Sequence, residues 1–333
     1  MSGVAAMAAL VCSACGTVDH AASTGHSPAP TQTAAAPGGQ TTSTTSPTTP
    51  GPALPGTGKP PVTIGDKNYT EQFILGQLYL QALEAQGFTA TINQNIGPTD
   101  VTTHGLETGT LTMYPEYLDV FDTSIAGYRH PFRTRLRAYR AAERFALTHG
   151  LSLLDMTPFS DTDAIAVTLA YATANHLRSL LDLRRVGGAL TIGGAAQLQQ
   201  GAPGLPQLES VYGVTPAAFM SLPLGAQYSP LDTGAIQAAY VNTTDGPLAN
   251  GDYRLLADRR HIFGWGNVIP VVSAKALAAE GPFFAATIQR VDAELTTPVM
   301  RQLNSAVDVA KQDPAAVAKQ FLETHGLLTP GVS

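Results

Sequence analysis

The 333 residues contain two cysteines, one tryptophan and only 19 lysines and arginines, and each scarcity excludes something. Both cysteines, Cys12 and Cys15, lie at the extreme N-terminus, so no disulfide can staple the body of the chain. Charged residues make up 13% and the formal net charge is -6, without the clustered Lys and Arg that displace counterions from phosphate, which argues against a nucleic-acid partner. After the first fifteen residues no unbroken apolar run of about 20 occurs, so no internal segment is predicted to span a bilayer as a helix. Catalytic signatures are missing as well. There is no Gly-x-Ser-x-Gly elbow, no His-Glu-x-x-His and no Walker loop, and Gly58-Lys59 runs into Pro60. The eight histidines are scattered along the chain, so neither a metal site nor a cofactor is expected and no enzyme is indicated.

What is present divides the chain into three. Val4 to Val11 is short and apolar and ends in Cys12-Ser13-Ala14-Cys15-Gly16. This pattern reads as a signal peptide over residues 1–15. Ser13-Ala14-Cys15-Gly16 resembles the end of a bacterial lipobox, which makes Cys15 the candidate lipid anchor, although Cys12 stands where such a box usually has Leu and the n-region lacks Lys or Arg. A buried N-terminal helix with two incidental thiols is the other reading. Residues 16–60 are Thr, Ser, Pro, Ala and Gly almost throughout, with Asp19 and Lys59 the only charges. Such a tract buries too little apolar surface to offset chain entropy, and a disordered tether is expected.

From Pro61 onward the apolar pattern is that of a folded α/β body. Val62 to Gly65 reads as a buried strand; Ile74, Leu75, Leu78, Ala82 and Leu83 follow at helical spacing, with Asn68 and Glu71 as a capping pair and Gly87 as the stop. Strands at Thr89 to Ile92 and Leu111 to Tyr114 flank a short helix ending near Leu106. A basic helix is expected over Phe132 to His149, then a strand at Leu151 to Met156. Ala164 to Leu169 opens a second unit with a helix at His176 to Leu183 and strands at Ala189 to Gly193 and Ile236 to Tyr240. Val268 to Val272 returns as a strand before a helical tail from Phe283 to Leu328. Strands alternating with helices predict a parallel-rich sheet, whose ligands lie at the carboxyl ends of the strands. Asp66 to Gln72 and Tyr114 to Tyr117 then share one rim.

Ile64 to Gly76, with Lys67-Asn68-Tyr69-Thr70-Glu71-Gln72 at its centre, resembles the opening of the substrate-binding proteins of glycine betaine, choline and carnitine ABC importers. Leu106-Glu107-Thr108-Gly109 followed by Met113-Tyr114-Pro115-Glu116-Tyr117 matches the same family, as do Gly204-Leu205-Pro206, Val211-Tyr212-Gly213, Thr244-Asp245-Gly246 and Asp313 to Ala318. The similarity runs collinearly from Pro61 to Leu328. It implies a two-lobed, type II periplasmic-binding fold that closes by a hinge, with lobe 1 at 61–163 plus 268–330 and lobe 2 at 164–267. It places the two crossovers near Asp161 to Thr168 and Ile262 to Pro270.

The implied guest is a quaternary ammonium, which has a full charge and no N–H to donate, so aromatic faces must hold it. The positions matching the family's cleft are Tyr117, Tyr228, Gln72, Lys67 and Asp161, with Trp265 as the aromatic before the returning strand. Tyr240 is assigned to the core. Three departures bear on specificity. Tyr117-Leu118-Asp119 replaces the family's Tyr-Thr-Gly, Asp163 stands where a cage Tyr is expected, and the Arg that often clamps a betaine carboxylate falls on Gly201. An added anion and a lost clamp favour a cation without an essential carboxylate, choline-like in preference to glycine betaine. The implied partners are an ABC permease and its ATPase at the extracytoplasmic face of a bacterial membrane. The alternatives are a same-fold binding protein for another small polar solute, such as an amino acid, and a tethered surface hydrolase or adhesin.

Overall fold

The computed structural model describes residues 53–129 and 132–329, so Cys15 and its surroundings lie outside the described residues. Ala53 to Pro60 is not the loose end of a tether. The Gly56 N–H donates to the Gln86 carbonyl at 2.9 Å, and Lys59 Nζ donates to the Ala279 carbonyl at 3.1 Å. Leu54 and Thr57 pack against Gly87 closely enough that a Cβ there would stand 2.7 Å from the Leu54 side chain.

Ten strands are formed: β1 (Val62–Gly65), β2 (Ala90–Asn93), β3 (Met113–Tyr117), β4 (Leu151–Leu153), β5 (Asp163–Thr168), β6 (Thr191–Gly194), β7 (Ala218–Ser221), β8 (Ala238–Asn242), β9 (Tyr253–Leu255) and β10 (Val268–Ser273). They make two five-stranded sheets, ordered β2-β1-β3-β10-β4 and β7-β6-β8-β5-β9. In each sheet four of the five strands run the same way and one, β10 in the first and β5 in the second, is antiparallel to both its neighbours. That antiparallel strand is the first one reached after the chain crosses between lobes. The two-lobed α/β architecture is therefore two copies of one layout, and each sheet is parallel-rich, as expected, with a single reversed strand.

The central strands are buried on both faces, as their unbroken apolar runs require. In β3 all five residues are buried; Met113 and Tyr117 pack with the helix Thr70–Ala85, while Tyr114 joins the cluster on the opposite face. The spacing of Ile74, Leu75, Leu78, Ala82 and Leu83 does turn one face of that helix inward. The expected Asn68–Glu71 cap does not form. Tyr69 is the N-cap and makes no side-chain cap bond, because Glu71 is drawn inward. The helix predicted at His176 to Leu183 is also absent. A helix runs over Leu169–Ala174, His176 takes φ 53°, and Leu180–Arg185 is a 3₁₀ turn. Leu177, Leu180 and Leu183 recur every third residue and are all fully buried, which suits three residues per turn rather than 3.6.

The crossover segments end where β5 begins at Asp163 and β10 at Val268. They run side by side as an antiparallel pair bridged at Ser160 and Asn267, with the Asp161 N–H donating to the Gly266 carbonyl at 2.8 Å. Asn267 Nδ2 donates to the carbonyls of Thr157 and Phe159, both at 3.0 Å. A helix from the tail, Thr297–Asp308, makes a third link: Arg301 Nε donates to the Thr243 carbonyl at 2.7 Å, and Asn304 Nδ2 to the Thr244 carbonyl at 2.9 Å. At Gly266 an added Cβ would stand 1.6 Å from the Asp161 carbonyl oxygen, so the two crossovers cannot stay paired around any side chain. Gly266→Ala is expected to lose about 3 kcal/mol or more in urea unfolding. An unchanged midpoint would show that the pairing does not carry the inter-lobe connection.

Candidate functional site

The carboxyl ends of the parallel strands in both lobes, together with the crossovers and the tail helix Thr297–Asp308, enclose a cleft of about 780 Å³. Asn68 and Tyr69 come from the turn after β1, Thr70 and Glu71 from the start of the helix Thr70–Ala85, Tyr117 ends β3, Asp161 and Thr162 belong to the first crossover, and Asp163 opens β5. Tyr228 begins the short helix Tyr228–Asp232, Asn242, Thr244 and Asp245 follow the body of β8, and Asn304 and Asp308 reach in from the tail helix. Strand ends are where an α/β sheet exposes helix N-termini and unpaired loops, so side chains from distant parts of the sequence converge there.

Three tyrosines stand on its wall. The rings of Tyr69 and Tyr117 are 5.9 Å apart and tilted by 30°, and across the cleft Tyr228 packs edge-on against Tyr253 at 5.1 Å. Each hydroxyl on the deeper pair is tied down, Tyr117 donating to Glu71 Oε1 at 2.9 Å and Tyr228 to Asp245 Oδ2 at 2.7 Å. The rings are thereby fixed against lobe 1 and lobe 2 respectively. What they offer a guest is an aromatic surface, because their polar tips are already used.

The electrostatics are one-sided. Glu71, Asp119, Asp161, Asp163, Asp245 and Asp308 line the cleft, and among its described lining residues Lys311 is the only Lys or Arg. Burial raises the pKa of Asp119 to about 7 and that of Asp163 to about 6, and neighbouring acids add to both shifts. Burial likewise pushes Glu71, Asp161 and Asp245 upward, and each of the three has a further acid nearby that adds to the rise. Asp161 accepts from Asn242 Nδ2 at 3.2 Å, while its Oδ1 has no hydrogen-bond partner among the described residues. A wall of crowded carboxyl groups with a single exposed base favours a cation over a free carboxylate.

Of the residues singled out from the sequence, Tyr117, Asp161, Asp163 and Tyr228 line this cleft. Lys67 and Gln72 are not on its wall. Lys67 is buried behind β3 in an ion pair with Glu116 and a 2.9 Å hydrogen bond to Thr99, with its ammonium 5.9 Å from the ring centres of both Tyr114 and Tyr117. Gln72 is fully buried, and its Oε1 accepts the Lys67 N–H at 3.4 Å. Trp265 lines a neighbouring cavity of about 420 Å³, which shares Asp119, Val120 and Asp163 with the cleft. Its indole N–H donates to the Phe132 carbonyl at 2.8 Å, and His261 lies over it at 4.2 Å. Tyr240 is in the core of lobe 2, as assigned.

Sequence reasoning missed Tyr69, Asn242, Asn304 and Asp308 as wall residues, and it read Glu71 as a helix cap. Glu71 instead accepts from Tyr117 and from Asn304, the latter at 2.8 Å, and so joins β3 to the tail helix. An acid three residues after a polar one carries the same signal whether it caps a helix or anchors a ring. The clue for Tyr69 was its place beside the strand end; for Asn304 the sequence holds none, since its partners are 233 and 60 positions away.

Residues 60–324 match the family described as the substrate binding domain of ABC-type glycine betaine transport system. The chain is 29% identical over 290 residues to the glycine betaine-binding protein YehZ of Escherichia coli (strain K12), covering 82% of this chain and 93% of that one. It is 30% identical over 290 residues to a glycine-betaine-binding protein of Pseudomonas aeruginosa, covering 80% and 89%. In fold it resembles a solved glycine betaine/carnitine/choline ABC transporter protein, with a TM-score of 0.75 at 23% identity over 80% of this chain and 99% of that one.

The raised carboxyl pKa values set a sign for pH. Asp119 and Asp163 hold protons more tightly folded than unfolded, so their contribution to stability is complete below about pH 4 and is lost as pH rises through 6 and 7. The melting temperature of the ligand-free protein is expected to fall from pH 5 to pH 8. In the double variant D119N/D163N the slope becomes shallower. Equal slopes in thermal melts of the two proteins would contradict this account.

Proposed function

Because the chain belongs to the family of substrate-binding domains of ABC-type glycine betaine transport systems, we propose that it captures a quaternary ammonium solute between its lobes and delivers it to an ABC permease driven by an ATPase. The observation that carries the reading is the pairing of aromatic faces with uncompensated acid on one wall. A methylated onium cannot accept or donate an N–H hydrogen bond, so it needs rings and a negative field, and Tyr69, Tyr117, Tyr228 and the surrounding carboxylates supply both. Within that class the cleft favours choline over glycine betaine. Glycine betaine brings its own carboxylate, and on the described wall only the exposed Lys311 would meet it. The same lack counts against an amino acid as solute.

The lobes are placed at 61–163 plus 268–330 and at 164–267, with the tail helix touching both sides. No helix among the described residues is long and apolar enough to cross a membrane. Work at the extracytoplasmic face then rests on a lipid at Cys15, in keeping with the lipobox-like sequence there. Solute capture needs neither a cofactor nor turnover.

Isothermal titration with choline and glycine betaine tests the proposal. Choline is expected to bind at least tenfold more tightly, and Tyr117→Ala to weaken choline by about 2 kcal/mol, the scale of one desolvated cation–ring contact. Tighter binding of betaine would reverse the preference. No binding of either would remove the quaternary ammonium assignment.

A further inference from the structure

The cavity beside the cleft has a different character. Its wall carries the aromatic side chains of Tyr128, Phe132, Phe263 and Trp265, with Val211 and Ile262 between them. Tyr128 and Phe132 meet edge to face at 5.3 Å, and the Trp265 N–H is already bonded to the Phe132 carbonyl, so the indole has no donor left for a guest. Asp122 and Arg129 lie on the same wall, and Asp119 and Asp163 stand where this cavity meets the cleft. The two volumes, about 780 Å³ and 420 Å³, belong to the class of sites that enclose ligands of drug size, roughly 300–1,000 Å³.

We propose that the Trp265 cavity is a second compartment of the same site, taking the aromatic or alkyl tail of a cation whose charge rests at Asp119 and Asp163. The solute is then a substituted onium larger than glycine betaine or choline. Continuity at the two shared carboxylates fixes where the charge lies, and the apolar, ring-lined interior fixes what the tail must be. The rings of Tyr128, Phe132, Phe263 and Trp265 suit a flat apolar group, and a phenyl tail there exchanges water for ring edges. This inference rests on the onium reading of the cleft and narrows it to a size class.

The protein has a single tryptophan, so its fluorescence reports this compartment directly. Tetramethylammonium and benzyltrimethylammonium are the probes, with affinity from isothermal titration and occupancy from acrylamide quenching of Trp265. The phenyl-bearing cation is expected to bind at least tenfold more tightly and to shield Trp265 from acrylamide more strongly than saturating tetramethylammonium does. Val211→Phe, which fills the compartment, is expected to shrink that advantage to threefold or less. Equal affinity of the two cations overturns the inference while leaving the onium reading intact, and so does a phenyl advantage without added shielding of Trp265. If tetramethylammonium, choline and the phenyl cation all fail to bind to the folded protein, the onium reading itself falls, and the compartment with it.

Discussion

Negative charge held in a nearly base-free cleft is the constraint on which the rest of the site depends. Behind the cleft, by contrast, the buried Glu116 carboxylate has the Lys67 ammonium as its partner. On the cleft wall the hydrogen bonds to the acids come from neutral side chains, and Asp245 alone also feels the nearby Arg301 guanidinium. Glu71 has Tyr117 and Asn304, Asp245 has Tyr228, and Asp161 has Asn242. Neutral hydrogen bonds hold each carboxyl group in place without bringing a positive charge, so a cationic guest is what favours its ionised form. The same bonds fix the tyrosine rings, which couples the aromatic surface to the acid wall behind it.

The hinge shares residues with this wall. Asp161 is a crossover residue through its backbone bond to Gly266 and a cleft residue through its side chain. Asn304 is bonded to Glu71 of the first lobe and to the Thr244 carbonyl of the second. A cation that changes the charge state of Asp161 or Glu71 therefore acts on the groups that join the lobes. Residues that line the cleft and residues that join the lobes are thus in part the same ones.

Much of the architecture was legible because it is written in local periodicity. β1, β2, β5 and β10 lie where short apolar runs predicted them, and the buried face of the helix Thr70–Ala85 follows its spacing. The failures have local reasons. β3 runs on past the expected Tyr114 to Tyr117, because β10 pairs with it along its full length. β7 and β9 are edge strands with half-exposed residues and no apolar run to mark them. Leu177, Leu180 and Leu183 suggested a helix, yet their threefold spacing belongs to a tighter turn.

For the site, the sequence by itself determined the chemical types available: tyrosines near strand ends, few bases, an added acid at Asp163 and one tryptophan. Collinear motifs carried the family, since a family pattern is a property of order along the chain. Only the tertiary structure decided which of these residues share a wall. It put Lys67 and Gln72 behind β3, brought Tyr69 and Asn304 into the cleft, and set Trp265 in an adjoining cavity. The reason is that a side chain's neighbours across a cleft are chosen by strand order and crossover geometry, which join residues hundreds of positions apart and leave no periodic trace in the sequence.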